Sequence, residues 1–419
     1  MIETLKSAWK TPDIRKKILY TLMMLGIFRL GSHIMVPFID RSMLANYISS
    51  NSMMGLFNII SGDNLKNFSI FAMGITPYIN ASIIMNLLTI AIPGLENLAK
   101  EGGEEGKRKI SRYTRYTAIG LAIMQSLGTT LTISGLLTDK SWYIVALVTA
   151  VITAGTAFII WMSEAMTEKG IGNGTSLLIF IGIVSSLPGA IQTIIDGIAT
   201  RTFPIWMLPV IAVFMLVTIM GVIEVEEGQR RIPVQYSKRV RGRNMMGGQN
   251  SYITMKVNQS GVIPVIFASV ITMFPNTLAS FFPNSKFLTK VASFMAWGTW
   301  FTTIVYVLLI IAFSYFYTAI TFNPVDIAKN IQDYGGAIPG IRTGRPTAMY
   351  ISKISSRLTL FGALFLIIIA IIPIIAGNVL KLNLQFGGTS LLIVVGVALE
   401  TVKTLEQMLI IRNYKGFLK

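Results

Sequence analysis

The chain has 419 residues, of which 53% are hydrophobic and 13% are charged, with a net charge of +17. Soluble domains carry about 25% charged residues, so this composition excludes a water-soluble globular domain, and the high hydrophobic content excludes intrinsic disorder. The sequence contains no cysteine, which excludes disulfides, thiol nucleophiles and cysteine-held metal or iron–sulfur sites.

Ten apolar stretches approach the length of about 20 residues that a helix needs to cross a bilayer. In chain order they lie at about 18–37, 73–93, 116–137, 143–163, 175–195, 205–223, 262–282, 297–320, 358–379 and 387–405. Each stretch is continuous rather than alternating, which favours helices over the strands of an outer-membrane barrel. The predicted fold class is therefore an all-α polytopic membrane protein with ten transmembrane helices.

The basic residues predict the orientation of these spans. With the N-terminus inside, 28 of the 36 Lys and Arg residues fall in inside segments, 7 fall outside, and Arg29 lies within the first span. Positive charge collects on the cytoplasmic side, so both termini are predicted to be cytoplasmic. Two inside loops, 224–258 and 321–356, are longer than a turn requires. Their clustered guanidinium groups suit an acidic partner such as RNA phosphate, although topology alone is the alternative explanation for any single basic residue.

The predicted spans contain no group suited to catalysis or ion coupling. No acidic residue is near the middle of a span, and the only histidine, His33, lies near the outer end of the first one. Coupled carriers usually keep ionisable groups inside the bundle. The segment Gly102–Lys107 resembles a phosphate loop but has the wrong spacing, and we interpret it as a solvated turn. We expect no enzymatic activity, no cofactor and no metal site.

Two sequence repeats relate the first half of the chain to the second. Gly174–Ile179 recurs as Gly388–Ile393, and the pattern from Gly74 to Ser82 recurs from Gly261 to Ser269. Chance is the alternative, because apolar segments share few residue types, but both matches are offset by five spans. An odd offset inverts the direction of crossing, so we predict two inverted halves, 1–200 and 201–419, with a functional site between them.

The repeats align aliphatic residues near the predicted midplane. These residues are Ile79, Ile266, Ile179 and Ile393, and Ile83 lies one turn after Ile79 on the same helix face. One interpretation is ordinary apolar packing, and the other is a hydrophobic constriction that gates by dewetting. A proline two residues before Ile79 and before Ile266 is predicted to loosen each helix.

A short apolar segment follows the first span. Residues 53–62 are too few to cross the membrane and are bordered by Gly55 and Gly62. The segment is either a re-entrant stopper for the constriction or a helix on the membrane surface.

Six motifs in this order resemble those of the SecY/Sec61-alpha family of protein-translocation channels, and the resemblance covers essentially the whole chain. The motifs are Gly74–Ile84, Lys109–Tyr116, Gly170–Gly174, Glu227–Pro233, Gly261–Pro264 and Pro339–Arg342. The resemblance implies ten helices in two pseudo-symmetric halves around an hourglass pore.

The resemblance also assigns roles to particular residues. The implied pore ring is Ile79, Ile83, Thr175, Ile179, Ile266 and Ile393, in which Thr175 departs from the usual aliphatic residue. The implied plug covers about 55–67 and includes Leu56, Phe57, Ile59 and Ile60. The lateral gate opens between spans two and three on one side and spans seven and eight on the other, with Gln125, Ser82 and Ser269 as candidate gate residues. Gln125 is predicted to form a hydrogen bond across the closed gate.

The two long loops match those that dock the family's motor or the ribosome. Their candidate docking residues are Arg230, Arg231, Lys238, Arg239, Arg241, Arg243, Arg342 and Arg345. The implied partners are SecE-type and SecG-type small subunits, the SecA motor ATPase, ribosomal RNA phosphates, preproteins with signal sequences, and lipid. The implied function is a protein-conducting channel of the bacterial cytoplasmic membrane that also releases membrane segments sideways. The alternatives are a secondary transporter of a small solute built on inverted repeats, and a membrane scaffold without a pore.

Overall fold

The computed structural model describes residues 2–39, 64, 67–100, 102–133, 135, 141–199, 207–236, 239–241, 244–246, 250–281, 285–295, 299–380 and 388–417. Within these ranges the chain is mostly helical. In order, the helices are α1 (Ile2–Lys10), α2 (Pro12–Gly31), α3 (Thr76–Ala91), α4 (Pro93–Lys100), α5 (Gly103–Thr132), α6 (Trp142–Lys169), α7 (Gly174–Ala199), α8 (Met207–Glu227), α9 (Ile263–Phe281), α10 (Lys286–Phe294), α11 (Trp300–Thr321), α12 (Pro324–Asp333), α13 (Arg345–Leu380) and α14 (Gly388–Phe417).

Each predicted span overlaps one of these helices. Three helical stretches, Trp142–Lys169, Trp300–Asp333 and Arg345–Ile372, are long and apolar enough to cross a membrane. A fourth is added if Thr76–Ala91 and Pro93–Ala99, which are bent by 105°, form one broken span. The chain is therefore a multi-pass membrane protein, and the count of ten spans stays a prediction.

The bend between α3 and α4 has a local cause. Ile92 has extended backbone angles and is followed by Pro93, which begins α4. A residue before proline avoids the helical conformation, whereas proline itself is well suited to the first position of a helix. The dipeptide therefore ends one helix and starts the next in a new direction.

Several helices extend beyond the predicted spans. The interpretation of Gly102–Lys107 as a turn is wrong, because a helix begins within it. Helix α5 begins at Gly103 rather than near residue 116, and α13 begins at Arg345 rather than near 358. Charged residues end a hydrophobic span without ending a helix, because ion pairs one turn apart stabilise helical structure in water. Such a pair joins Lys109 Nζ to Glu105 at 2.9 Å.

The repeat between α3 and α9 is matched by local geometry. Gly74 and Gly261 have φ of 55° and 60°, and each helix begins two residues later. The prediction that prolines loosen these helices is wrong, because Pro77 and Pro264 occupy the second helical position. The first turn has no internal partner for that N–H group, so a proline there costs little.

One large buried cluster draws on nine helices, namely α2, α3, α6, α7, α8, α9, α11, α13 and α14. Residues before and after position 200 pack together in it. Helix α5 contacts α9, and α7 contacts α14, so the two predicted halves meet at more than one place. One close approach depends on a glycine, since a Cβ atom at Gly155 in α6 would lie 2.1 Å from the Ile70 carbonyl oxygen.

The long loops contain strands, which corrects the expectation of an all-helical chain. The strands are β1 (Gln229–Tyr236), β2 (Arg239–Arg241), β3 (Asn244–Met246), β4 (Asn250–Lys256) and β5 (Gly336–Ala337). Strand β1 is central and pairs antiparallel with β4 and with β5, while β2 pairs with β3. In β1, Ile232 and Val234 are buried and alternate with exposed residues, as expected of a strand with one covered face.

Candidate functional site

The structure brings the five predicted ring isoleucines into one apolar cluster. Ile79 and Ile83 come from α3, Ile179 from α7, Ile266 from α9 and Ile393 from α14. Four of them are buried, and Ile266 is half-buried and packs against the same cluster. Ile79 and Ile266 each lie at the fourth position of their helix, and Ile179 and Ile393 each lie at the sixth. The repeat-related side chains therefore converge from four helices.

Thr175, the polar member of the predicted ring, is bound to its own half of the chain. Its hydroxyl is 2.7 Å from the Ser163 hydroxyl on α6. The neighbouring Gly174 N–H donates to the Thr167 hydroxyl oxygen at 2.9 Å. These hydrogen bonds hold the start of α7 against the end of α6, and they satisfy the polar group that Thr175 adds to an apolar region.

A cavity of about 1050 Å³ adjoins the isoleucine cluster. Ile79, Ile179 and Ile266 line it together with Thr175. Its wall also carries charges of both signs, from Arg108, Arg112, Arg115, Glu164, Glu168 and Lys169. The cavity wall therefore combines apolar side chains with charged ones. Among the described residues, no cluster of three His, Asp or Glu side chains could hold a metal ion.

An ion pair in this cavity was not predicted from the sequence. Arg115 Nε donates to Glu164 Oε1 at 3.2 Å, and a second guanidinium nitrogen contacts Glu164 Oε2, so the pair is bidentate. It joins α5 to α6 across 49 positions of the chain. The only signal in the sequence was the position of Glu164 at the inner end of a span, which does not identify its partner.

The three candidate gate residues lie in different settings. Ser82 lines the cavity, and the Ser269 hydroxyl donates to the Ile266 carbonyl oxygen of its own helix at 2.8 Å. Gln125 is half-buried in α5, and its side chain forms no hydrogen bond with any residue that the structure describes. The predicted hydrogen bond across the gate is thus not formed within the described part of the chain. Assignment of these three residues to a gate stays a prediction.

The described docking candidates are exposed. The side chains of Arg230 and Arg231 lie on β1, and those of Arg342 and Arg345 lie between β5 and the first turn of α13. Within the described ranges none of these four guanidinium groups has an ion-pair partner. The backbone of Arg239 and Arg241 belongs to β2, and their side chains lie outside the described set. Lys238, Arg243 and the plug residues Leu56, Phe57, Ile59 and Ile60 also lie outside the described residues.

The two long loops form one folded unit. Gln235 and Tyr236 of β1 pair with Ala337 and Gly336 of β5, which joins loop 224–258 to loop 321–356. A separate core lies beneath the sheet and consists of Ile232, Val234, Met255, Ile331, Ile338 and Ile351. Because this core draws on both loops and on α13, the arginines project from a packed surface rather than from separate flexible loops.

A buried polar group lies where the sheet meets the membrane helices. Asn258, between β4 and α9, donates a hydrogen bond from Nδ2 to Glu226 Oε1 at 2.7 Å. Burial raises the pKa of the Glu226 carboxyl, and this hydrogen bond and the nearby Lys256 and Lys403 oppose that rise. Neither residue was a candidate from the sequence, because both lie near the ends of the predicted loop 224–258, where polar residues are common.

The comparisons with known proteins agree with this architecture. A family model described as SecY matches residues 69–402. The chain is 41% identical to the protein translocase subunit SecY of Aquifex aeolicus (strain VF5) and 44% identical to that of Streptomyces galbus, in each case over the full length of both chains.

Solved structures have the same fold. One described as a protein conducting channel aligns with a TM-score of 0.65 at 17% identity, over 94% of this chain and 92% of that one. Another, described as Sec61 in the canine ribosome-channel complex from the endoplasmic reticulum, aligns with a TM-score of 0.61 at 15% identity, over the same shares of the two chains.

Proposed function

Because this chain belongs to the SecY family, we propose that it forms a protein-conducting channel in a bacterial cytoplasmic membrane. The channel passes unfolded secretory polypeptides across the membrane and releases membrane segments sideways into lipid. The observation that carries this proposal is the convergence of isoleucines from four helices beside a polar cavity of about 1050 Å³.

An aliphatic ring suits a channel for polypeptides. A moving chain presents every type of side chain, and a ring rich in hydrogen-bonding groups would retain some of them. Isoleucines offer only weak dispersion contacts, so they bind no side chain strongly. When the chain has passed, they pack together again, and a constriction of this kind excludes ions by dewetting. Thr175 contributes to this ring with its hydroxyl already bonded to Ser163.

A lateral exit requires two layers of helices that can separate. In this proposal α3 and α5 form one side of the gate and α9 and α11 form the other. The contact between α5 and α9 supports a seam at this place. A segment of about 20 apolar residues leaves through the seam because hydrocarbon solvates it better than a wet pore does. Ser82 and Ser269 are small enough to allow close helix approach there.

The proposed topology has ten spans in two inverted halves, 1–200 and 201–419, with both termini in the cytoplasm and a plug at about 55–67. A SecE-type helix clamps the halves, and a SecG-type subunit joins them. Arg230, Arg231, Arg342 and Arg345 dock either SecA or ribosomal RNA, and their exposed guanidinium groups support this role. The partner supplies the energy, since we found no nucleotide-binding motif in the sequence.

Site-specific photo-crosslinking tests the proposal. A photoreactive residue is placed in turn at Ile79, Ile179, Ile266 or Ile393, and a secretory chain is stalled in transit. The matched control is Ile368 in α13, whose side chain is 56% exposed on the outside of the helix bundle. We expect adducts to the secretory chain from all four ring positions and none from Ile368.

Two results would contradict the channel. Absence of adducts at all four positions, with the secretory chain bound, would make the isoleucines ordinary packing residues. Saturable binding of a small solute under the same conditions would favour the transporter alternative.

A further inference from the structure

The segment between β4 and α9 contacts α13 and the residue that follows α8. The Val257 N–H donates to the Gly228 carbonyl oxygen at 2.9 Å, just beyond the end of α8. The Ser355 hydroxyl of α13 donates to Gln259 Oε1 at 2.9 Å. A Cβ atom at Gly362 of α13 would lie 3.2 Å from the Val257 carbonyl oxygen, so the two backbones are in close contact. We call the three-stranded sheet β4-β1-β5 the docking sheet, and residues 257–262 are its covalent connection to α9.

Asn258 lies at the centre of this segment and is 2% exposed. Its Nδ2 group donates to Glu226 Oε1 at 2.7 Å and to the Gly261 carbonyl oxygen at 3.1 Å. Its Oδ1 accepts from the Ser260 hydroxyl at 3.3 Å. One amide therefore links the last turn of α8 to the residues that lead into α9.

The partner of this amide is itself held in place. Glu226 accepts a hydrogen bond at its backbone oxygen from Lys403 of α14, at 3.5 Å. Its carboxylate is half-buried, and Asn258 provides its hydrogen bond. Hydrogen bonds to charged groups are stronger than neutral ones, and leaving a buried charged group without its partner is costly. The Glu226–Asn258 contact therefore favours one position of α9 relative to α8.

We propose that the Glu226–Asn258 hydrogen bond is a latch that holds α9 in place relative to α8 until the docking sheet is displaced. This inference rests on the proposed channel function and identifies Glu226 and Asn258 as positioning residues. Helix α9 carries Ile266 of the isoleucine cluster and contacts α5. When a partner displaces the sheet, the displacement reaches α9 through residues 257–262. Release of the latch then allows α9 to move away from α8 and opens the isoleucine cluster.

Substitutions distinguish the effect of the Glu226–Asn258 hydrogen bond from the effect of the negative charge on Glu226. Asn258→Leu and Glu226→Leu remove the bond, whereas Glu226→Gln keeps an oxygen that can accept it. Gln407→Leu is the matched control, since Gln407 is an exposed amide on α14. The assay measures ion conductance of the reconstituted channel without a docked partner. We expect about tenfold higher conductance for both leucine variants, because loss of one hydrogen bond to a charged group shifts a closed–open equilibrium by at least about this factor. Conductance of Glu226→Gln and Gln407→Leu should remain within about twofold of the parent chain.

The double leucine variant should conduct no more than either single variant, because both changes break the same contact. A cysteine pair gives a test on one folded protein. The natural chain contains no cysteine, so Glu226→Cys with Asn258→Cys provides the only two thiols. We expect the uncoupled pair to conduct ions and a short thiol cross-linker to suppress both conductance and translocation, while SecA still binds.

Equal conductance before and after cross-linking would overturn the latch, as would parent-like behaviour of both leucine variants. These outcomes differ from failure of the channel proposal. If the parent chain, assembled and with its partners, carries neither preprotein nor ions, the proposed function fails instead.

Discussion

Ile232→Ala tests whether the two long loops form one folded unit. Ile232 is 2% exposed in the central strand β1 and belongs to the six-residue core beneath the sheet. Full burial of an isoleucine contributes about 1.5–3 kcal/mol by transfer from water. The cavity left by truncation adds to this loss, so the expected cost is about 2–5 kcal/mol. Because this core is small and separate from the large cluster between the helices, the penalty should appear as local opening of the sheet.

Hydrogen exchange of the reconstituted protein, followed by mass spectrometry, measures that opening. Each 1.4 kcal/mol corresponds to a factor of ten, so amides of Gln229–Tyr236 and Asn250–Lys256 should exchange about 30 to 4000 times faster. Ile232→Val should cost only about 0.5–1.5 kcal/mol. Val325→Ala is the matched control, because Val325 is 63% exposed on α12 and its truncation should leave exchange nearly unchanged.

The same variant separates docking from the pore. If the proposed function holds, we expect Ile232→Ala to weaken binding of the proposed docking partner while photo-adducts at Ile79 to an already inserted chain persist. Unchanged amide protection in the variant would refute the reasoning, since it would mean that the buried side chains beneath β1 do not stabilise the sheet.

Three further predictions concern other parts of the molecule. Gly155→Ala should lower the free energy of unfolding by about 1–3 kcal/mol, because the added methyl group overpacks the contact with Ile70. Gly120→Ala, with open space around it, should be neutral or slightly stabilising. Equal melting temperatures of the two variants would contradict this. Because burial raises the pKa of Glu226, its ionised form is disfavoured in the folded state, so stability should fall as pH rises through that pKa. Glu226→Gln should lack this pH-dependent loss of stability. The same change of melting temperature with pH in both proteins, measured from pH 4 to 8, would refute the prediction. A double-mutant cycle with Arg115→Gln and Glu164→Gln should give a coupling energy of about 0.5–1 kcal/mol that weakens with added salt. The coupling is smaller than for a fully buried pair because the Arg115 side chain is 47% exposed and solvent screens it. A coupling energy of zero at low salt would contradict the bidentate pair.

Hydropathy located the long apolar helices but not their ends, and it missed the short helices α1, α10 and α12. All ten predicted spans overlap a helix, because a run of apolar residues reports the solvent that surrounds it. The same signal placed the start of α13 near residue 358 rather than at Arg345, because it ends where polar residues begin. The strands were missed, although the alternation of Ile232, Val234 and Tyr236 in β1 could have predicted one.

The repeats gave the most specific information about the site. Matching Gly74 with Gly261 and Gly174 with Gly388 aligned isoleucines that the structure brings into one cluster. This worked because equivalent helix starts place equivalent positions at the same depth. The sequence also predicted a basic surface on the two long loops, since charge is a property of each residue alone.

Partners, by contrast, depended on the tertiary structure. Arg115 meets Glu164 across 49 positions, and Asn258 meets Glu226 across 32. The pairing of β1 with β5 similarly joins loops that are far apart in the chain. A sequence records the solvent preference and local geometry of each residue, and these determined the membrane class, the long apolar helices and the alignment of the isoleucines that form one cluster. Which side chains meet depends on how distant helices pack, and packing alone decided the ion pair in the cavity, the sheet beneath the arginines and the buried amide that links α8 to the residues before α9.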